Sequence, residues 1–300
     1  MRTVVPDCRW GISLKPSALV MLAVLFLSQL GACGTGERES AIPTGTPAEK
    51  EPFLGLKTTE YKFDALPTFK GGLVTIELDN TAGKEAHEAE FLRLDPGKKP
   101  ADYVAAIAQK RLPSFAHPAG GPGPVLPGKT AVYTGNFPAG NYIFVCHVPA
   151  PDNQEHLMKG MISEIRLSEG REASLPRANE TIGAKEFEFT GGEKLKAGSQ
   201  TVKVINEGQQ PHNFGLVSLA AGKKASDLSP YLVPPGSPFP PGPPPFTGFN
   251  GLVGTVSPGD AGTRTLELSP RTSYALICFV PDADGTPHFA KGMIEQVDIP

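Results

Sequence analysis

Apolar and polar residues alternate with a period of two in several short stretches of this chain. LVTIELDN (73–80) and QTVKVIN (200–206) alternate in this way, as half-buried strands do. NYIFVC (141–146) and SYALIC (273–278) read as strands that end on cysteines, and MISEIRL (161–167) and MIEQVDI (293–299) as further closing strands. Two stretches break the rhythm, DYVAAIAQK (102–110) and DLSPYL (227–232). Each opens on an aspartate and predicts a short helix. With 34 Gly and 32 Pro punctuating the rest, the pattern predicts an all-β chain of short strands and little helix.

The strands recur in the same order twice. Tyr61-Lys62-Phe63 has its counterpart in Phe187-Glu188-Phe189. His87 is followed by Gly97-Lys98-Lys99 and Asp102, and His212 at the same spacing by Gly222-Lys223-Lys224 and Asp227. Pro127-Gly128 and Pro258-Gly259 each precede a further strand. Two domains are therefore expected, 56–168 and 182–300, joined by a polar linker at 169–181. Each holds a full set of strands and should form its own β-sandwich.

The N-terminus predicts export. Arg2, Arg9 and Lys15 precede the unbroken apolar run ALVMLAVLFL (18–27), which is too short to span a bilayer but suits a signal peptide. Leu30-Gly31-Ala32-Cys33 resembles the bacterial lipobox. Residues 1–32 are thus expected to be removed, Cys33 lipidated, and the polar stretch 33–55 left as a flexible tether. The protein would be a membrane-anchored lipoprotein on the periplasmic or cell-surface side. Removing 1–32 takes away three basic residues and Asp7, moving the net charge from −3 to −5, so nothing points to nucleic acid. A mean hydropathy of −0.16 excludes a polytopic membrane protein.

Cysteine use sharpens the picture. Beyond Cys8 and Cys33 only Cys146 and Cys278 remain, one in each half. In an oxidising compartment they form either one disulfide or two metal thiolates. Their surroundings favour the second. Cys146 is followed by His156 and Met161, and Cys278 at the same spacing by His288 and Met293, while His87 and His212 lie upstream. A thiolate, two imidazoles and a thioether make the donor set of a mononuclear copper site suited to one-electron transfer.

QQPHNFGLV (209–217) and YALICFVPDADGTPHFAKGM (274–293) resemble the cupredoxin family of plastocyanin and azurin. The resemblance implies two Greek-key β-sandwiches. It implies copper ligands at His212, Cys278, His288 and Met293, and Asn213 hydrogen-bonded across to the cysteine loop. By the repeat, it implies His87, Cys146, His156 and Met161 in the first half. The sequence departs from the family in two ways. The cysteine-to-histidine loop is longer than in plastocyanin and closer to that of copper nitrite reductases. Glu88 stands where the second half has Asn213, removing the expected brace and, if it faces inward, lowering the potential of the first site. His147, next to Cys146, should point to the opposite face. Met158 could compete with Met161, but its counterpart is Ala290.

Three functions fit copper ions as the bound species. The first is electron transfer with a redox partner protein. The second is copper delivery, storage or resistance. The third is an enzyme such as a nitrite reductase or multicopper oxidase. A trinuclear cluster needs about eight imidazoles by family pattern, and this chain has six His. His117, in a Gly/Pro loop, reads as solvated. The Pro-rich 233–246 reads as a surface loop.

Overall fold

In the computed structural model, which describes residues 52–109, 112–233, 237–238, 240–249, 251 and 253–300, the alternating stretches pair as strands. The first half contributes β1 (Phe53–Thr59), β2 (Lys62–Asp64), β3 (Thr68–Lys70), β4 (Gly72–Asp79) and β5 (Glu90–Leu94). Helix α1 (Pro100–Ile107) comes next, then β6 (Ala116–Pro118), β7 (Thr130–Phe137), β8 (Gly140–Val145) and β9 (Ile162–Ser168). The second half contributes β10 (Glu180–Lys185), β11 (Glu188–Thr190), β12 (Gly198–Asn206), β13 (His212–Leu219) and β14 (Phe246–Phe249). It closes with β15 (Val253–Val256), β16 (Ala261–Leu268), β17 (Thr272–Ile277) and β18 (Ile294–Ile299). β1 opens inside the stretch expected to be tether and β10 inside the expected linker, because alternation begins a few residues earlier than the polar composition suggests.

The strands form one eight-stranded sheet, β11-β10-β12-β16-β7-β4-β1-β2, and two five-stranded sheets. These are β3-β9-β8-β5-β6 and β14-β13-β17-β18, with β15 added to β13. Between the layers, Leu56, Ile76, Leu78 and Phe137 meet Phe91, Phe144 and Ile165; Val202, Val204 and Leu266 meet Phe214, Leu276 and Val297. The outer faces of the smaller sheets are also apolar. Tyr103 of α1 covers Leu92, Ile143 and Val145, and Leu228 covers Val217, Ala275 and Ile277. The two covering segments start alike, with Asp102 accepting from the Lys99 amide at 2.9 Å and Asp227 from the Lys224 amide at 3.0 Å. Only the first becomes an α-helix. Pro230, with no N–H to give, keeps Ala225–Tyr231 a 3₁₀ turn.

The two halves do not stand apart as separate sandwiches; their sheets are continuous. β7 and β16 pair antiparallel, with Tyr133 opposite Arg264, Thr134 opposite Thr263 and Gly135 opposite Gly262. In the other layer Ala119 and Pro122 bridge to Val256 and Val253, and the Gly120 amide donates to the Thr255 carbonyl at 2.7 Å. Counted from Pro127-Gly128 and Pro258-Gly259, Tyr133 and Arg264 occupy equivalent places, as do Pro122 and Val253. The seam is therefore arranged about a pseudo-twofold axis, on which Tyr133 faces its counterpart Arg264 and Pro122 its counterpart Val253. The Tyr133 ring lies over the joint, and a β-carbon on Gly262 would come within 2.3 Å of it. Glycine is required there by close approach rather than by backbone angle.

No helix among the described residues is long and apolar enough to cross a membrane. The apolar run 18–27 and Cys33 lie outside the described residues. Because Tyr133 is 1% exposed, its ring cannot swing clear of a new methyl group. Gly262→Ala should therefore destabilise the fold by about 1–3 kcal/mol. A fall in the denaturant midpoint without a change in slope would report it, and an unchanged midpoint would show the seam to be slack.

Candidate metal centres

Each candidate donor is carried on the end of a strand, and the same backbone frame holds both sets. In the first half the Cys146 amide donates to the Met161 carbonyl at 3.3 Å, Leu157 to Cys146 at 2.8 Å and Met161 to His156 at 3.0 Å. In the second, Cys278 donates to Met293 at 3.2 Å, Phe289 to Cys278 at 2.9 Å and Met293 to His288 at 3.0 Å. A single 3₁₀ turn, His156–Lys159 or His288–Lys291, swings the histidine back toward the cysteine. It ends on Gly160 (φ 98°) or Gly292 (φ 106°), a left-handed conformation that costs glycine nothing. The upstream histidines come from the facing edge. His212 opens β13, and His87 bridges to Val125 just ahead of β5.

The structure brings His87, Cys146 and His156 together in one group and His212, Cys278 and His288 in another. His87 Nδ1 stands 3.0 Å from His156 Nδ1, and Cys146 Sγ stands 3.5 Å from the latter. The second group repeats this, with 3.1 Å between the nitrogens and Cys278 Sγ at 3.5 and 3.8 Å from them. For an ion about 2.0 Å from imidazole and about 2.3 Å from thiolate, donors some 110° apart stand roughly 3.3 Å (N···N) and roughly 3.5 Å (N···S) from each other. The donors already lie at a spacing that one ion can fill. Met161 and Met293 join them in full burial; all eight side chains are 0% exposed. Met158 is exposed instead. Cys146 and Cys278 are free thiols, which sets aside a disulfide between them.

Burial sets the protonation states. It pushes the Cys278 thiol up to about 12 and the Cys146 thiol well above its usual value. It pulls His87 and His212 down to about 4, helped by the partner histidine in each group, and lowers His156 and His288. The imidazoles are thus neutral and ready to donate, while a thiolate here needs a cation beside it.

Around the donors lie residues that the ligand spacing did not single out. His156 Nε2 is 2.8 Å from Glu85 Oε2, and His288 Nε2 is 3.1 Å from Gln210 Oε1. Buried Asn80 and Asn206, the last residues of the two matched strands LVTIELDN and QTVKVIN, donate to the carbonyls of Glu85 and Gln210 at 2.8 and 2.7 Å. Tyr61 and Phe187 each lay an edge against the ligand-side histidine, with ring centroids 4.9 and 5.2 Å apart. Both adopt left-handed backbone (φ 61° and 64°), uncommon for such bulky residues. All three pairs occupy matching positions in the repeat, the one signal that could have found them.

Asn213 accepts from the Phe279 amide at 2.9 Å, spanning to the cysteine loop. The expectation that Glu88 leaves this brace missing is corrected. Glu88 Oε1 accepts from the His147 amide at 2.8 Å, doing the same work with a carboxylate oxygen. Its own amide donates to Cys146 Sγ at 3.4 Å. Burial raises Glu88 to about 7. His147 turns away from the donors, toward Glu155 at 2.8 Å and Tyr103 at 3.1 Å, and against the effect of its partial burial the Glu155 carboxylate holds it up at about 10. His117, exposed, pairs with Asp95.

No protein-family model matches the chain, and a search of curated proteins finds no match. Solved structures similar in shape include an auracyanin from the photosynthetic bacterium Roseiflexus castenholzii. It is 19% identical over 39% of this chain and 98% of its own, with a TM-score of 0.29. An azurin from Methylomonas sp. strain J is 15% identical over 43% of this chain and 99% of its own (TM-score 0.25). A copper nitrite reductase from Nitrosomonas europaea is 15% identical over 83% of this chain and 93% of its own (TM-score 0.23). These likenesses are faint, and the geometry of the sites carries the chemistry.

With the thiol protonated and both imidazoles neutral at pH 7, loading a divalent ion should release about one proton per site. Affinity should then fall about tenfold for each pH unit lowered between 8 and 5. Calorimetry in buffers of different ionisation enthalpy measures this number directly. A value near two would mean that a histidine starts protonated, and a value near zero that the thiol is not a ligand.

Proposed function

We propose that the chain is an exported, lipid-anchored, cupredoxin-like protein with two mononuclear copper sites that passes single electrons. The observation that carries this reading is the duplicated group of two imidazole nitrogens and one sulfur, spaced for one ion and sealed from solvent. His87, Cys146 and His156 would hold one copper and His212, Cys278 and His288 the other, with Met161 and Met293 as weak fourth donors. Copper in such a set supplies a one-electron couple between its cuprous and cupric states. The chain's own part is to keep the donors fixed. Cysteine, histidine and methionine are tied to one another through their backbone, so the set cannot open when the charge at its centre changes. That rigidity favours rapid transfer.

Full burial also weighs between the alternatives. A carrier that hands copper to another protein needs donors that a recipient can reach, and these have no exposed surface. An oxidase or nitrite reductase needs further histidines, and among the described residues no third group of metal donors is found. His147 is engaged with Glu155 and Tyr103, and His117 with Asp95. Export and anchoring rest on the sequence 1–33. They place the protein on the periplasmic or cell-surface side of a membrane, where a redox partner protein would meet it.

Copper-loaded protein should show an intense visible band from thiolate-to-copper charge transfer. Cys278→Ser and Cys146→Ser should each remove the part belonging to its own site and leave the other. A spectrum unchanged by either substitution would refute copper–thiolate bonding. Cys33→Ser should release the protein from the membrane fraction or leave it unprocessed; a processed chain still attached would refute lipidation at that residue.

A further inference from the structure

The two sites share a frame but differ in charge, and the difference falls on residues that touch the donors. Glu85 brings a carboxylate to His156 Nε2 where Gln210 brings an amide to His288 Nε2. Glu88 braces the first cysteine loop with a carboxylate where Asn213 braces the second with an amide. The places are equivalent in structure, because Asn80 and Asn206 hold the Glu85 and Gln210 carbonyls in the same way. The aromatic neighbour changes in step. Tyr61 sets its hydroxyl 3.4 Å from Glu85 Oε1, fixing the second oxygen of the carboxylate. Its counterpart Phe187 has no hydroxyl, and Gln210 has no second carboxylate oxygen to hold.

We propose that this exchange of carboxylate for amide sets the two copper sites at different reduction potentials, the first below the second, so that one electron added to the oxidised chain resides at the second site. The inference rests on the copper reading of the sites. A carboxylate that accepts the imidazole N–H makes the ring a stronger donor and places negative charge near the ion, and both effects favour the cupric state. An amide oxygen makes the same hydrogen bond without the charge. Glu85 Oε2 reaches His156 from a side chain only 24% exposed, so water screens it incompletely.

The difference also has a place to act. Glu88 and Asn213 line the same cavity of about 50 Å³ at the seam, together with Phe279 and Gly254. The Glu88 amide touches Cys146 Sγ, and the Asn213 amide lies near enough to the sulfur of Cys278 to offset part of the rise that burial imposes on that thiol. One of the two exchanged pairs thus shares a cavity at the seam, each member next to its own cysteine loop.

The test uses full-length, copper-loaded protein at pH 8. Each potential is read spectroelectrochemically, with Cys146→Ser and Cys278→Ser isolating the second and first site in turn. The first site should titrate below the second, and at half reduction the wild-type chain should have lost the band of the second site alone. Glu85→Gln should raise the first potential and leave the second in place. Gln210→Glu should lower the second and leave the first. Equal potentials in a chain that binds copper at both sites, or potentials unmoved by the two substitutions, would overturn the proposal while leaving the copper reading intact. A chain that binds no copper would overturn both.

Discussion

A cysteine with no exposed surface, between two imidazoles too buried to take a proton, is the constraint around which each half is arranged. Nothing in a protein interior makes a lone thiolate comfortable except a cation. The backbone nevertheless holds the sulfur and both nitrogens within reach of one another. Strand ends β8 and β17 deliver the cysteine, the 3₁₀ turn returns the histidine, and a glycine in left-handed conformation lets the chain run on into β9 or β18 through the methionine. The apolar layers behind, Phe144 against Phe91 and Leu276 against Phe214's neighbours in the core, keep those strand ends from spreading.

The first half places buried and half-buried ionisable groups beside its cysteine loop, whereas those around the second site, such as Asp282 and Lys291, lie at the surface end of the histidine turn. Buried Glu88, Glu90 and Tyr103 and half-buried His147 and Glu155 form a polar cluster beside Cys146. Such a cluster is tolerable only when its members satisfy one another. The His147–Glu155 pair does so, the carboxylate offsetting the burial of the ring. At the corresponding place the second half has Phe279, packed against Phe289. One frame therefore supports a polar surround and an apolar one, which means the frame itself does not depend on either.

Much of the fold can be read from alternation, because β4, β9, β12 and β18 each present one face to a core and one outward, while the continuous apolar runs of β8 and β17 fit strands covered on both faces. The ligand spacing is legible for the same reason: Cys146, His156 and Met161 are fixed by one turn of local chain. What is not legible is anything that depends on meeting a distant segment. Gly135 and Gly262 look in the sequence like interruptions of a strand, yet they are where β7 and β16 join. Glu88 reads as the loss of a brace because residue type distinguishes an amide from a carboxylate, whereas a backbone N–H accepts either oxygen. Glu85 and Gln210 lie two residues before the upstream histidines but act on the downstream ones, a relation that only the closed loop creates.

The seam carries a consequence of its own. An interface built about a twofold axis is what two identical chains form, and there a charged residue on the axis must face its own copy. Two arginines would oppose each other at the place of Arg264, and two carboxylates would crowd the small cavity at the place of Glu88. Within a single chain that self-complementarity is lifted. Arg264 lies opposite Tyr133, and Glu88 shares its cavity with Asn213. Covalent linkage allows the two halves to be unlike where they touch, and so gives an otherwise symmetric pair a fixed left and right.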